Sequence, residues 1–242
     1  MMDILGGQKW HAMKVEDLIQ ALKTGQQGLS EEEAKHRLEE IGPNEIREIK
    51  KITPLEIFLR QFKSFLVIIL LIATAISAFL GEFNDALVIA IIVLLNAVLG
   101  FAQEYRAERS MEALKRLTAP KARVIRDGAD VEILAKELVP GDVILFKTGD
   151  KVPADSRLIE AMNLQVNEAP LTGESLPVEK TIDTMEERIP TAKKKNMVFM
   201  ATDVTYGRGK AVVVATGMNT EVGKIAEKIQ TAPPRQTPLQ IR

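Results

Sequence analysis

Residues 64–81 have the sequence SFLVIILLIATAISAFLG, and residues 86–103 have the sequence ALVIAIIVLLNAVLGFAQ. Each run contains 18 residues without a formal charge. As an α-helix each run would be about 27 Å long, close to the hydrocarbon core of a bilayer at about 30 Å. Helices buried in a protein core are the alternative, but such helices rarely lack charge on every face over this length. The two runs therefore predict two transmembrane helices.

The residues around the two runs predict the orientation of the chain. Four residues, 82–85, separate the runs, so the two helices are expected to form a tight hairpin. Arg60 and Lys63 precede the first run, four basic residues follow the second, and the turn between them holds only the acidic charges of Glu82 and Asp85. Basic residues are enriched on the cytoplasmic side of a membrane. The sequence therefore predicts a multi-pass integral protein of the cell membrane, with its amino terminus and the bulk of the chain cytoplasmic and the lipid bilayer as a partner.

Three polar residues lie inside the two runs: Thr74, Ser77 and Asn96. They are compatible with an ion path. Hydroxyls bonded to the helix backbone and an asparagine at a helix contact are the commoner arrangement. We therefore favour a structural role for all three.

Composition excludes several functional classes. The 242 residues suggest one or two domains, and 46% hydrophobic with 27% charged residues rules out a disordered chain. The balance of 32 basic and 33 acidic residues argues against nucleic acid as a partner. The absence of cysteine excludes disulfides, thiolate metal sites and cysteine nucleophiles, and the presence of only two histidines, His11 and His36, makes a multi-histidine metal site improbable.

Residues 1–52 predict a helical amino-terminal cytoplasmic region. The first helix has apolar residues at the i, i+3, i+4, i+7 spacing of an amphipathic helix, namely Val15, Leu18, Ile19 and Leu22. Ser30 and Glu33 predict a capping box at the start of a second helix, which Gly42-Pro43 ends. His36 lies among charged neighbours on this helix and is expected to be exposed.

Residues 53–117 are assigned to the two transmembrane helices, at about 64–81 and 86–103, and their cytoplasmic stalks. The segment EYRAERSMEALKRL, from Glu104 to Leu117, has helix-forming composition, so the second helix is expected to continue as a stalk. Thr118-Ala119-Pro120 should end it.

Residues 118–230 predict a compact all-β domain. The segment ARVIRDGADVEI predicts a hairpin around Asp127-Gly128. The further predicted strands are DVILFK, SRLIEA, LQVNE, NMVFMATDV and KAVVVAT. Asn219 or Thr220 should cap a last helix, and residues 231–242 form a Pro-rich linker. The fold class is therefore mixed: a transmembrane helical hairpin plus a compact all-β domain with flanking helices.

A single short stretch, residues 169–177 (APLTGESLP), combines tight turns with a carboxylate and hydroxyls. Gly173 permits backbone angles that other residues avoid, and the prolines on both sides stiffen the loop. Such a loop could hold Glu174 outward, where a carboxylate can position or deprotonate water. An ordinary surface turn is the alternative, and composition alone favours it. The chain has no phosphate-binding loop of the G-x-x-x-x-G-K-[ST] type.

The segment Leu171-Thr172-Gly173-Glu174-Ser175 resembles the TGES motif of P-type cation-transporting ATPases. Other segments match the same family in order along nearly the whole chain. They are Gly28-Leu29-Ser30, Gly42-Pro43-Asn44, Pro140-Gly141-Asp142, Gly149-Asp150-Lys151-Val152-Pro153-Ala154-Asp155, Lys195-Asn196-Met197, Thr216-Gly217, Gly223-Lys224-Ile225 and Thr237-Pro238-Leu239-Gln240. The last of these is similar to the segment that leads into the family's third membrane helix. The chain thus resembles the amino-terminal part of a pump of the calcium-transporting branch, with the first two membrane helices and the actuator domain.

The resemblance implies a distorted jelly-roll-like actuator fold and a mechanism. In this family ATP phosphorylates an aspartate in a DKTGT motif, and the actuator domain brings TGES to the aspartyl phosphate. Glu174 would orient the hydrolytic water, Thr172 and Gly173 would shape the loop, and Ser175 would support it. The partners implied are the phosphorylation and nucleotide-binding domains of the same full-length pump and the transported cation.

The sequence also departs from the complete family pattern. It contains no DKTGT motif, so this portion is expected to be inactive alone, to bind no cofactor itself, and to depend on ATP and Mg²⁺ only within the full-length pump. Calcium is the favoured ion, but Glu82, Asp85 and Asn96 are too few to define a site for a hard divalent cation. Sodium, potassium, protons and manganese therefore stay open.

One local departure concerns Met200-Ala201-Thr202, where the family more often has Gly-Thr after a small residue. The backbone there is expected to differ in detail.

Two alternatives to the pump remain at this point. The first is a non-catalytic membrane-anchored β-domain that binds a partner through the TGES loop. The second is a soluble β-domain with a buried helical hairpin.

Overall fold

The computed structural model describes residues 8–46, 53–117 and 119–231. The chain divides into two compact units, one comprising Met1–Arg47 with Pro120–Arg242 and the other Glu48–Ala119. Thr118 and nearly all of the predicted linker, from residue 232 onward, lie outside the described residues, as does the predicted match at Thr237 to Gln240.

The amino-terminal region contains a 3₁₀ turn at Trp10–Ala12 and two helices, α1 (Val15–Ala21) and α2 (Glu31–Ile41). Ser30 caps α2 by accepting a hydrogen bond from the Glu33 backbone N–H at 3.2 Å, as predicted. The Glu33 carboxylate, however, accepts from Arg37 Nε at 2.6 Å, so the capping box is only half formed. The helix-ending role of Gly42 and the exposure of His36 are confirmed.

The second unit consists of three helices, α3 (Pro54–Gln61), α4 (Phe65–Phe79) and α5 (Phe83–Leu117). Helix α5 continues without a break beyond residue 103, which confirms the predicted extension. Its segment Phe83–Met111 is long and apolar enough to cross a membrane. Helix α4 has only 15 residues, because Ser64 caps its start and Leu80 ends it, and it reaches spanning length only together with α3, which meets it at 62°.

The apolar side chains of this unit mostly face outward. Helix α4 packs along α5, yet only 17% of the most apolar window of α5 is buried. Phe65, Leu87 and Leu99 are among the many large apolar side chains that remain exposed. The Thr74 hydroxyl donates to the Leu70 carbonyl at 2.8 Å, so the predicted backbone-bonded role holds for this residue. An outward apolar surface of this kind marks a contact with a membrane or with another protein surface.

Seven antiparallel strands form one sheet after α5. They are β1 (Lys121–Arg126), β2 (Ala129–Leu134), β3 (Val143–Lys147), β4 (Asp155–Asn167), β5 (Val178–Glu179), β6 (Met197–Val198) and β7 (Asp203–Ala215). The order is β2-β1-β3-β7-β4-β5, with β6 paired to β4. The predicted β1–β2 hairpin is confirmed. The pairings establish an antiparallel sheet, and its jelly-roll character stays a prediction.

Two strand predictions need correction. SRLIEA and LQVNE form one bent strand, β4, which keeps pairing with β7 through several register shifts. NMVFMATDV is not one strand, because a turn at Met200 and Ala201 separates β6 from β7. A one-turn helix, α6 (Ala169–Thr172), follows β4, and the last helix, α7 (Glu221–Thr231), is capped by the Thr220 hydroxyl, which accepts from the Gly223 N–H at 3.0 Å.

The amino-terminal helices pack onto the same sheet. Trp10, Leu18 and Leu22 share one buried apolar cluster with Phe199 and Val212 of the β-domain. Burial of this kind contributes about 25 cal/mol per Å² of apolar surface.

Gly28 allows the amino-terminal region to approach β1 closely. A Cβ at Gly28 would lie 1.8 Å from the Ile125 carbonyl oxygen, and φ there is +73°. The neighbouring residue Leu29 forms a parallel bridge with Arg126. Only glycine satisfies both conditions, which explains the Gly28-Leu29-Ser30 segment physically.

Arg157 on β4 is fully buried and binds the backbone of several separate segments. Its guanidinium donates to five carbonyl oxygens at 2.6–3.4 Å, those of Trp10, Met13, Leu158, Ile182 and Asn196. Burial lowers the pKa of Arg157 to about 10, so the group is still charged at neutral pH. Carbonyl dipoles rather than a hydrogen-bonded carboxylate therefore compensate this charge.

We predict that Arg157→Met lowers the free energy of unfolding by about 3 kcal/mol, because five carbonyls lose the hydrogen bond from the guanidinium, although those of Trp10 and Asn196 keep a backbone donor. The buried side chain of Trp10, the single tryptophan, should then become exposed. Tryptophan emission during denaturant unfolding in detergent measures both effects. Arg208→Met, on the exposed part of β7, is the control and should change neither; unchanged emission and stability in the Arg157 variant would contradict the prediction.

Ala201 occupies a left-handed backbone conformation, with φ of 70°. Its N–H donates to the Val152 carbonyl at 3.0 Å, which holds the turn in place. The predicted departure from the family pattern thus falls at a position where glycine would be less strained.

We predict that Ala201→Gly stabilises the protein by up to about 1 kcal/mol, the relief of left-handed strain less the added entropy of glycine. The same unfolding measurement tests it. Ala211→Gly, at a buried position inside β7, should instead destabilise, and a similar loss for both variants would refute the explanation.

Candidate functional site

The loop singled out from the sequence, residues 169–177, connects β4 to β5, which lies at one edge of the sheet. Its first four residues form helix α6, and the chain from Gly173 to Pro177 is exposed to solvent. Strand β5 pairs with β4 at only two positions, Gln165 with Glu179 and Val166 with Val178. The loop therefore has a short paired base and a projecting tip.

Gly173 ends α6 in the left-handed conformation, with φ of 77° and ψ of −2°. Its N–H donates to the Ala169 carbonyl at 2.9 Å. A Cβ at this position would have no atom within 4 Å. Glycine is therefore favoured here by the backbone angle and not by crowding.

The hydroxyl of Thr172 connects the two sides of this turn. It donates to the Glu168 carbonyl at 3.1 Å and accepts from the Glu174 backbone N–H at 3.2 Å. The Glu168 carbonyl also accepts from the backbone N–H groups of Leu171 and Thr172, both at 2.9 Å. Thr172 thus fixes the backbone from which the exposed side chains of Glu174 and Ser175 project.

The structure places Thr172 as the last residue of α6 and Gly173 as its cap, followed by the exposed residues Glu174 and Ser175. It also reveals two residues that sequence reasoning missed. Glu168 and Lys180 flank the loop and form an ion pair, Nζ to Oε1 at 2.5 Å, with side chains 1% and 0% exposed.

The alternation of inward-facing residues at the end of β4 contains a signal for the buried charge of Glu168. Leu164, Val166 and Glu168 are all buried, at the alternate positions that share one face of a strand. A charge on that inward face requires a partner of opposite charge. Lys180 follows Val178 with the same spacing on the opposite side of the loop.

Burial raises the pKa of the Glu168 carboxyl and lowers the pKa of the Lys180 ammonium, because each charged form loses hydration. Their mutual contact opposes both changes. Lys180 Nζ also lies 5.9 Å from the ring centroid of Phe199.

The site does not resemble a metal centre. Among residues 8–46, 53–117 and 119–231, no three His, Asp or Glu side chains cluster as ligands of one ion.

An antiparallel β-domain with an exposed glutamate loop, in one chain with an apolar helix long enough to cross a membrane, defines a class: β-domain proteins that present a solvent-facing carboxylate and also carry a candidate membrane span. Two family models match this chain. Residues 116–230 match the P-type ATPase actuator domain, and residues 10–77 match the Cation transporter/ATPase amino-terminal region. The chain belongs to the family of P-type cation-transporting ATPases.

Curated relatives agree with this assignment. The chain is 49% identical over 236 residues to a calcium-transporting ATPase of Bacillus subtilis (strain 168), covering 97% of this chain and 26% of the relative. It is 45% identical over 237 residues to calcium-transporting ATPase 1 of Bacillus cereus (strain ATCC 10987 / NRS 248), covering 96% and 27%. It is 44% identical over 226 residues to calcium-transporting ATPase 1 of Lactococcus lactis subsp. lactis (strain IL1403), covering 93% and 26%. The chain thus spans about a quarter of the length of these relatives.

We predict that Gly173→Ala destabilises the α6 turn by about 1 kcal/mol, because alanine must adopt a positive φ there although space is open. Hydrogen exchange of the Gly173 and Glu174 amides measures this local stability. Gly25→Ala is a matched control, since Gly25 also has open space but no positive φ. Equal protection of the loop amides in the wild type and the Gly173 variant would show that the backbone angle is unimportant.

Proposed function

We propose that this chain is the amino-terminal and actuator portion of an ATP-driven calcium pump, in which Glu174 positions water for hydrolysis of an aspartyl phosphate outside these residues. The observation that carries the proposal is the geometry of the loop: Thr172 and Gly173 order its backbone, and Glu174 projects into solvent. The names of the relatives, calcium-transporting ATPases, support the choice of ion.

In the proposed step the Glu174 carboxylate accepts a hydrogen bond from water and takes one of its protons. The water oxygen forms a bond to phosphorus as the bond between phosphorus and the aspartyl oxygen breaks. The products are inorganic phosphate and the free aspartate carboxylate, and the proton on Glu174 returns to solvent. Thr172, Gly173 and Ser175 serve to hold the loop, and a positioned general base of this type contributes about 10²–10⁴-fold in rate.

The proposal includes the membrane topology. Helix α5 and the bent pair α3–α4 would be two spans, with the loop between them outside the cell and the β-domain, a distorted jelly roll, in the cytoplasm. Support comes from aromatic rings at the expected interface: Phe58 lies edge-on to Phe101 with centroids 6.0 Å apart, Phe101 stacks on Tyr105, and Arg109 lies over the Tyr105 ring. Tyrosine is enriched at membrane interfaces and basic residues at the cytoplasmic ends of transmembrane helices, so the Tyr105–Arg109 contact would mark the cytoplasmic end of the α5 span.

The remaining parts of the proposal concern the whole pump. The boundaries at 52, 117 and 230 would separate the amino-terminal, membrane and actuator parts, with a linker after them. ATP and Mg²⁺ would act in the phosphorylation and nucleotide-binding domains, the partners of this actuator domain. Because the sequence holds no DKTGT motif, these 242 residues alone would form no phosphoenzyme.

The test is phosphoenzyme formation from labelled ATP on membranes that contain the full-length pump, with Ca²⁺, Na⁺, K⁺, Mn²⁺ and pH varied one at a time. We expect Ca²⁺ to trigger phosphorylation. In the Glu174→Ala variant the phosphoenzyme should decay about 100-fold more slowly than in the wild type, because the general base is lost. Glu179→Ala, which removes another exposed carboxylate close to the loop, should decay normally.

The other outcomes are equally informative. Normal decay in Glu174→Ala would refute the role of this residue while leaving the pump intact. Phosphorylation triggered by a different cation would refute calcium. Properly inserted protein that forms no phosphoenzyme with any cation would favour the membrane-anchored interaction module.

A further inference from the structure

The buried ion pair of Glu168 and Lys180 lies at the base of the loop. Glu168 directly follows β4, and Lys180 directly follows β5, so the pair joins the two ends of the segment that contains the TGES residues. The Lys180 backbone N–H also donates to the Leu164 carbonyl at 2.9 Å. The loop is therefore closed by one side-chain contact and a very short ladder.

Stability alone is a poor reason for a buried pair of this kind. Removing two charges from water costs much of what their attraction returns, and apolar residues of similar size often stabilise a protein equally well or better. A buried ion pair does, however, select one arrangement, because a displaced partner would leave an uncompensated charge in the interior.

The local structure explains why one arrangement of the loop has to be selected over others. Strand β5 has two residues, so its ladder specifies register weakly. A slip by one residue would move Lys180 away from Glu168 and shift everything between them. The tip from Gly173 to Pro177 is exposed and gains little from packing. Its position therefore depends on the points where the loop joins β4 and β5.

Glu168 also connects the pair to the turn. Its carbonyl accepts the three hydrogen bonds, from Leu171 N, Thr172 N and Thr172 Oγ1, that form α6. The Leu171 side chain packs against the buried cluster that includes Phe199, the ring beside Lys180. Displacement of Glu168 would therefore displace the backbone that carries Glu174.

We propose that the Glu168–Lys180 ion pair is a positioning device, which locks the register of the β4–β5 base and so places Glu174 for the hydrolysis step. The inference rests on the proposed function of Glu174. Neither residue of the pair touches the phosphate or the water.

The decisive variant is the double substitution Glu168→Gln with Lys180→Met in the full-length pump, because it removes both charges and leaves no unpaired one. We expect phosphoenzyme to form at the wild-type rate and to decay about tenfold more slowly, since small misplacements of a catalytic group cost one to two orders of magnitude. Glu168→Asp, which keeps both charges and shortens the side chain by one methylene, should slow decay severalfold. It keeps the test usable if the double variant fails to fold.

A matched control is Glu160→Gln, which breaks the exposed pair between Glu160 and Lys210, 2.9 Å apart on β4 and β7. It should change neither formation nor decay. Thermal unfolding of every variant is measured in parallel.

Two results would overturn the inference. One is wild-type decay in both the double variant and Glu168→Asp. The other is a fall in the rates of phosphoenzyme formation and decay by the same factor, accompanied by a lower Tm. That result would indicate that the pair has a purely structural role. The Glu174→Ala variant in the same assay separates the two proposals. If its phosphoenzyme decays at the wild-type rate, the proposed function has failed. If its phosphoenzyme decays slowly while that of the pair variants decays normally, only the positioning role is refuted.

Discussion

The guanidinium of Arg157 is the contact on which the β-domain and its amino-terminal helices most depend. A buried cation must be compensated, and here the compensation comes from carbonyls at Trp10, Met13, Ile182 and Asn196 in addition to its neighbour Leu158. These carbonyls belong to segments far apart in sequence, so the charge can be satisfied only when all of them are in place. A requirement of this kind makes assembly cooperative and explains why residues from the start of the chain complete a domain formed mainly by its second half.

Other buried polar residues follow the same rule. Asp142 accepts two hydrogen bonds from Arg126, at 3.0 and 2.9 Å, and one from the Val139 N–H at 3.0 Å. Asn44 donates to the carbonyls of Ala135 and Pro153 and accepts from the Gly217 N–H. Two segments that resemble the family, those that end at Asn44 and Asp142, therefore contain a buried polar side chain that is hydrogen-bonded to other segments of the domain. The exposed carboxylate of Glu174 is a different kind of feature.

Local signals predicted the elements that local chemistry determines. Ser30, Thr220 and the Asp127-Gly128 turn were predictable because a cap or a tight turn needs only its own neighbours. The break between β6 and β7 and the two-residue strand β5 depend on distant partners, such as the Val152 carbonyl that accepts a hydrogen bond from the Ala201 N–H. The half-formed capping box is different, because Arg37, which binds the Glu33 carboxylate, lies only four residues along the same helix. In the site, the turn at Gly173 was predictable from its residue types. The Glu168–Lys180 pair was visible in principle as a charge on the inward face of β4, but its partner is defined only by folding.

The site combines a buried ion pair, Glu168–Lys180, where the loop joins the sheet, with an exposed tip that carries Glu174. Each part has a physical reason. In the proposed function the Glu174 carboxylate approaches a phosphate on another domain, so it has to remain outside the core, where packing cannot orient it. Its orientation then has to come from the backbone, through the Thr172 hydroxyl and the left-handed Gly173, and from whatever anchors that backbone. Displacement of Glu168 or Lys180 would leave an uncompensated charge in the interior, so this one contact can anchor a loop whose tip has few others. With the charged pair inside and the Glu174 carboxylate outside, the loop combines a fixed geometry with the access to a partner domain that the proposed function requires.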